Sequence, residues 1–127
     1  MRARMTKTFF FDTYALIEVY KENKNYEKYK EDVKIMLNRL NLLEFAFFLI
    51  REKKEEDVKN IFEKLSKFNI DYDNEVLVES AKMKSEFQKE RLSFVDCIGY
   101  NLAKRNNIKF LTGDEKFKNR ENVEFVK

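Results

Sequence analysis

Apolar and polar positions change rhythm several times along the chain, and each change marks an element. Phe9-Phe10-Phe11 is an unbroken apolar run, so residues 7–12 read as a short strand closed by Asp12. Residues 13–20 read as a helix. Tyr26, Tyr29, Val33 and Met36 fall at helical spacing and predict a second helix. Residues 40–52 are apolar nearly all round, the pattern of a buried helix. Val58, Ile61, Phe62 and Leu65 follow i, i+3, i+4, i+7 and predict an amphipathic helix. Residues 69–72 read as a short strand. Asn74 is placed to cap a helix reaching about Lys89, with Val76, Ser80, Met83 and Phe87 on one face. Residues 94–106 form a further helix, 108–112 a strand ended by Gly113-Asp114, and 122–126 a last strand. This alternation predicts an α/β fold: three layers, α/β/α, around a mostly parallel sheet of four to five strands. Ligands of such sheets bind outside the carboxyl ends of the strands, where Asp12 and Asp114 fall.

Against this pattern four carboxylates are out of place. Asp12 closes the Phe run. Glu44 interrupts the apolar stretch 42–50. Asp96 lies between Leu92-Ser93-Phe94-Val95 and Cys97-Ile98, and Asp114 follows Phe110-Leu111-Thr112-Gly113. Burying an unpaired carboxylate costs several kcal/mol or more, so such groups are paired, hydrogen-bonded or bound to metal. No Lys or Arg adjoins any of the four. Four acids in apolar settings, spread over the chain, predict one shared acidic pocket.

Each acid also has a plainer role open to it. Asp12 suits the N-cap of the helix starting at Thr13. Asp96 suits the fourth place of a capping box begun by Ser93. Asp114 suits a turn beside Gly113. A Lys or Arg from elsewhere in the fold would neutralise Glu44. Thr112, and less strongly Thr13, are candidate hydroxyls supporting the acids, although a strand Thr is also ordinary.

The composition narrows the chemistry. With 127 residues, 43% hydrophobic and 39% charged, residues 1–127 are expected to form one domain, its core filled by 13 Phe with Leu and Ile and no Trp. Cys97 is the only cysteine, which excludes an internal disulfide, fits a reducing cytosol and reads as a small buried residue. The apolar run after the basic first seven residues is too short for a signal peptide, and 42–50 is too short to span a bilayer. A soluble cytoplasmic protein with no membrane partner is expected, starting at Met1 or Met5. With only Gly99 and Gly113 available, turns are expected to rely on Asn and Asp. Net charge is +3 and the pI about 8.8. If four acids gather in one place, the remaining surface is more basic than the total suggests, a rim suited to a polyanion.

There is no histidine, which excludes a Ser-His-Asp triad, a Cys-His pair and His-ligated zinc, and no Gly-rich phosphate or dinucleotide loop. Clustered carboxylates select Mg²⁺ or Mn²⁺ through hard oxygen ligands. Such an ion polarises a phosphoryl oxygen, activates water and stabilises the leaving oxygen, so no protein nucleophile is needed.

The order Asp12, Glu44, Asp96, Asp114, at gaps of 32, 52 and 18 residues (44 − 12, 96 − 44, 114 − 96), resembles the acidic quartet of PIN-domain ribonucleases, especially the VapC-like toxins of VapBC toxin–antitoxin pairs. Phe11-Asp12-Thr13 resembles the family's strand-ending Asp-Thr/Ser, and Leu43-Glu44-Phe45 its helix-borne Glu. Leu92 to Ile98 with Ala103 resembles its third motif, and Phe110-Leu111-Thr112-Gly113-Asp114 with Phe117 its last. The resemblance spans essentially the whole chain. It implies a PIN-like fold and a Mg²⁺- or Mn²⁺-dependent RNA endonuclease in which Asp12, Asp96, Asp114 and Glu44 are catalytic and hold metal. It further implies a cognate antitoxin and a homodimer; exposed Tyr and Phe of the early helices are the candidates for the dimer face, and Lys116 or Arg120, basic side chains near the pocket, are expected against the RNA backbone. Lys116 stands where many relatives carry an acidic or polar residue, which bears on a second metal site. Gly99, one turn past Asp96, marks close packing. Two other readings stay open: a catalytically silent RNA- or protein-binding scaffold, and a phosphoacceptor signalling module. The latter needs a second acid beside Asp12, where this chain has Thr13.

Overall fold

Successive residues of the Phe run serve opposite faces of one sheet. In the computed structural model, which describes residues 6–127, Phe9 and Phe11 pack on one face and Phe10 on the other. The choice between Met1 and Met5 as the first residue falls outside the described residues. The run belongs to strand β1 (Lys7–Phe11). A strand covered on both faces has no polar side, which is why it reads as continuous rather than alternating. Each wholly buried Phe contributes roughly 2–3 kcal/mol by area removed from water.

Helix α1 (Thr13–Tyr20) follows, then a 3₁₀ turn at Lys24–Tyr29 and strand β2 (Val33–Met36). Here the predicted second helix is overturned. Tyr26 and Tyr29 sit on the 3₁₀ turn and are buried. Their hydroxyls are anchored to the Val126 carbonyl (2.6 Å) and Glu124 (2.6 Å). Val33 and Met36 pair with β1 instead. Their β-branched neighbourhood (Val33, Ile35) fits a strand, and the ladder with β1 outweighs a spacing that two separate elements shared by coincidence.

Helix α2 (Arg39–Arg51) begins at an Asn38 N-cap and is followed by α3 (Val58–Leu65), the expected amphipathic helix. Helix α2 is not buried all round. It buries Leu42, Phe45 and Leu49 but leaves Leu43, Phe47 and Ile50 between 50% and 62% exposed. The expected strand at 69–72 is a single bridge, Leu37 to Asn69. Helix α4 (Asn74–Glu86) is capped by Asp73, not Asn74, through Asp73 Oδ1 accepting from Val76 N, and it ends before Lys89. Helix α5 (Phe94–Arg105), β3 (Lys109–Thr112) and β4 (Val123–Phe125) close the chain.

All pairings are parallel and the order is β2-β1-β3-β4. Helices α1, α2 and α3 cover one face, with Phe9, Phe11 and Leu111. Helices α4 and α5 cover the other, with Phe10 and Phe110. From β1 the sheet grows to β2 on one side and to β3 on the other, so the β1/β3 boundary is a topological switch point. Three of the six left-handed non-Gly residues are Asp32, Asn107 and Asn122, as expected, but Glu22, Lys53 and Arg91 share the role. Among the described residues, no helix is long and apolar enough to cross a membrane.

Gly99 lies where α5 crosses the sheet. A Cβ there would stand 2.9 Å from the Phe10 ring and 3.1 Å from the Phe110 ring, both wholly buried. Overpacking of about 1–3 kcal/mol outweighs the helix-propensity gain of roughly 1 kcal/mol. Gly99→Ala is expected to lower stability by about 1–2 kcal/mol in urea denaturation; an unchanged or raised midpoint would show that the rings yield without cost.

Candidate functional site

The sheet brings three of the four acids to one edge. Asp12 directly follows β1, its backbone N–H reaching the Leu111 carbonyl of β3 (3.2 Å). Asp114 follows β3 by one residue. Asp96 stands in the first turn of α5. Charge on Asp96 and on Asp114 acts on Asp12, and charge on Asp114 acts on Asp96. Glu44, on α2, senses Asp96. The four residues thus form one electrostatic neighbourhood.

Each acid is held by the chain, and the plainer roles turn out to coexist with clustering. Asp12 caps α1, with Oδ1 accepting from Ala15 N (2.8 Å). Asp96 completes the capping box: Ser93 N donates to its Oδ2 (2.9 Å), while Asp96 N donates to Ser93 Oγ (2.9 Å). Asp114 Oδ1 accepts from Lys116 N (3.0 Å), capping the turn Glu115–Phe117. Capping serves position here. A side chain bonded to its own backbone one turn away has little freedom to leave the pocket.

Thr112 is wholly buried and joins two of the acids. Its hydroxyl bonds the Asp12 carboxylate and its Oγ1 accepts from Asp114 N (3.0 Å). Thr13 donates from Oγ1 to Glu44 Oε1 (2.5 Å). Among the described residues Glu44 therefore has no Lys or Arg partner; its support is a hydroxyl. Sequence reasoning missed Asn41, which donates to Thr13 Oγ1 (3.2 Å), and Asn38, the cap that holds Asn41. The available signal was an Asn one helical turn before Glu44 on an otherwise apolar face.

Burial dominates the electrostatics. It pushes the Asp12 carboxyl up to about 8, reinforced by Asp96 and Asp114 and opposed by the Thr112 and Ala15 bonds. Burial also raises Asp96, with Asp114 adding to it and the Ser93 bonds and Lys116 opposing. Glu44 is raised by burial and by Asp96, against the Thr13 bond. Asp12 and Asp96 sit at helix N-termini, whose dipoles favour carboxylates by up to about 1–2 kcal/mol; burial wins over that.

Lys116 and Arg120 part company. Lys116 Nζ stands 3.8 Å from Asp114 Oδ2 and its charge reaches Asp96, so it belongs to the pocket rim. Arg120 instead lays its guanidinium 4.0 Å over the Phe87 ring, on the α4/α5 side. Cys97 is buried, its thiol pushed up to about 11 chiefly by desolvation, which suits a packing residue.

A divalent cation fits the donor set in kind: hard oxygens only, in a place where burial and neighbouring acids raise the Asp12 and Asp96 carboxyls and a cation would favour their charged forms. Among the described residues no three acids already converge at coordination distance. Four cavities of 310–680 Å³ are lined by other residues.

The model of the PIN domain family matches residues 9–122. No curated protein matches the sequence. The fold is similar to a toxin–antitoxin complex from Klebsiella pneumoniae (TM-score 0.70, 18% identity, covering 91% of this chain and 94% of that one). It is also similar to PAE2754 from Pyrobaculum aerophilum (TM-score 0.68, 19% identity, 95% and 92% covered). VapBC2 from Rickettsia felis, bound to a DNA fragment from its promoter, gives a TM-score of 0.65 at 20% identity, with 94% and 99% covered.

Proposed function

The chain belongs to the PIN domain family, and on that footing we propose that it is a metal-dependent RNA endonuclease, the toxin of a toxin–antitoxin pair. The observation that carries this reading is the meeting of Asp12 and Asp114 at the carboxyl ends of adjacent parallel strands, with the charges of Asp96 and Asp114 both acting on Asp12. Asp12, Asp96 and Asp114 hold Mg²⁺ or Mn²⁺, directly or through water, and Glu44 completes the set or supports a second ion. A Mg²⁺ or Mn²⁺ held by these residues would supply Lewis-acid polarisation of the scissile phosphate and a more acidic water.

The chain's own residues then do the positioning. Thr112 holds Asp12 and Asp114 in register, the Ser93 capping box aims Asp96, and Thr13 fixes one oxygen of Glu44. Lys116, at the rim, neutralises part of the acidic field and contacts the RNA backbone; Arg120, stacked on Phe87, serves only an RNA path that turns toward α4. The protein is a single cytoplasmic domain over residues 1–127. Its partners are RNA, an antitoxin that brings an Arg or an apolar segment to the pocket, and a second copy of the chain. Exposed Leu43, Phe47 and Ile50, on the same helix as Glu44, offer apolar surface for such protein contacts.

A second reading has one observation in its favour. Lys116 lies within 3.8 Å of Asp114, where its ammonium competes with a cation, as in a catalytically silent RNA- or protein-binding scaffold. Incubation of the purified protein with total cellular RNA in Mg²⁺, in Mn²⁺ and in EDTA separates the two. Cutting that requires the ion is the expected result; intact RNA together with no Mn²⁺ binding would overturn the nuclease and put the scaffold reading first.

A further inference from the structure

Resting on the nuclease reading, we infer that Asn41 is a positioning residue of the site. It sets the direction of the Thr13 hydroxyl proton and through it the orientation of Glu44.

The direction of each bond in this relay is forced. The Asn38 backbone N–H can only donate, and it donates to the side-chain oxygen of Asn41 (3.0 Å). That contact identifies Oδ1 as the amide's acceptor end and leaves Nδ2 to face Thr13. Nδ2 can only donate, so Thr13 Oγ1 accepts from it (3.2 Å). The one proton on the Thr13 hydroxyl then has a single place to go, Glu44 Oε1 at 2.5 Å. Oε1 is thereby fixed as an acceptor. Among the described residues, Oε2 accepts no hydrogen bond and is left for a cation or water.

Burial gives the relay its rigidity. Asn41 is 2% exposed and Asn38 3%. Asn38 is tied in turn by its Oδ1 to Leu40 N (3.0 Å) and by its Nδ2 to the Ile70 carbonyl (2.8 Å). An amide with both ends engaged inside the protein has no low-energy alternative, because a flip would face donor to donor at Asn38. The cap of α2 and the aim of Glu44 are therefore one structure, running from Ile70 through Asn38, Asn41 and Thr13 to the pocket. The only serious competitor is that Asn41 does no more than close the capping box.

Five variants separate these roles. Asn41→Leu keeps the volume but removes donor and acceptor, and Thr13→Val removes the hydroxyl. Each is expected to weaken Mn²⁺ binding, read by electron paramagnetic resonance of the free ion, and to lower kcat for RNA by about tenfold, the low end for groups that orient metal ligands. KM for RNA should stay unchanged. The double variant should be no worse than Thr13→Val alone, since both act through one hydroxyl. Thr13→Ser should rescue. Asp73→Ala, which removes the cap of α4 and lies outside the relay, should lower Tm and leave Mn²⁺ affinity intact.

Asn41→Leu with a lowered Tm but wild-type Mn²⁺ affinity and kcat would overturn the proposal, as would additive losses in the double variant. An independent readout separates its failure from that of the nuclease reading. The Thr13 hydroxyl proton, slowed in exchange by its bond to Glu44, should be visible by NMR in the wild type and absent in Asn41→Leu, with or without metal. Its absence from the wild type overturns the relay. Its presence in a protein that neither binds Mn²⁺ nor cuts RNA supports the relay and overturns only the nuclease.

Discussion

Asp12→Asn is expected to abolish RNA cleavage and, in EDTA at neutral pH, to make the protein more stable than the wild type. Burial holds the Asp12 carboxyl at about 8 in the folded chain, against about 4 for an unfolded Asp. Between those values the folded state binds more protons than the unfolded one, so stability falls as pH rises. The stability is fully present below pH 4, declines through pH 4–8 and is wholly lost above 8, a difference of at most roughly 4 kcal/mol at pH 7. Asp96 and Glu44, also raised, push the same way.

Asn at this position keeps the Ala15 cap through its amide oxygen and never has to ionise. In EDTA, the Tm of the wild type should therefore fall steadily from pH 4 to 8, while that of Asp12→Asn changes much less. Mn²⁺ should raise the wild-type Tm at pH 7.5, by mass action on the folded state, and leave the variant's alone. A variant less stable than the wild type at neutral pH in EDTA, and still cutting RNA, would remove Asp12 from the site. Stability given up for a destabilised carboxylate is the signature of a functional group, because nothing in the fold itself requires the charge.

Gly113→Ala is expected to be the most damaging change of a single methyl. A Cβ at Gly113 would overlap both the Tyr14 ring and the Val126 backbone carbonyl oxygen. A ring can turn, but the Val126 carbonyl belongs to a segment fastened to β3 by Val126 N donating to Thr112 O (2.9 Å). Relief therefore has to come from the β3–β4 edge or from the Thr112-Gly113-Asp114 segment, which would move Asp114 and loosen Thr112 from Asp12. A stability loss of about 3 kcal/mol or more is expected in urea, accompanied by loss of cleavage. Near-wild-type stability and turnover would mean that the edge of the sheet gives way freely, and that Asp114 does not depend on Gly113 for its position.

The legible parts of the chain were those in which one local pattern had one structural meaning. Phe9-Phe10-Phe11 read as a strand because an unbroken apolar run closed by Asp suits a strand buried on both faces, and Phe9 and Phe10 do face opposite cores. The α3 face carried unmistakable periodicity, Val58, Ile61, Phe62 and Leu65 at helical spacing. The segment from Tyr26 to Met36 misled because two short elements happened to continue one helical spacing, and pairing of Val33–Met36 with β1 decided the matter from a distance. The apolar sequence of α2 overstated its burial, since how much of a helix is covered depends on neighbours that composition does not reveal.

The four acids were legible as anomalies, each a charge in an apolar setting, and an acid out of place is a local fact. Their sharing of one edge also followed from strand polarity for Asp12 and Asp114. Other features were not local. Burial raises Asp12 rather than leaving it an ordinary cap. Glu44 is held by Thr13, 31 residues away, and among the described residues no cation pairs with it. Lys116 turns toward the pocket while Arg120 turns onto Phe87. The sequence by itself determined the strands and helices with strong periodicity and the identity of the unusual acids, because both are carried by residues adjacent in the chain. Only the tertiary structure decided the register of β2, the exposure of α2 and the hydrogen bonds that aim each carboxylate, because those depend on desolvation and on partners that meet only when the chain is folded.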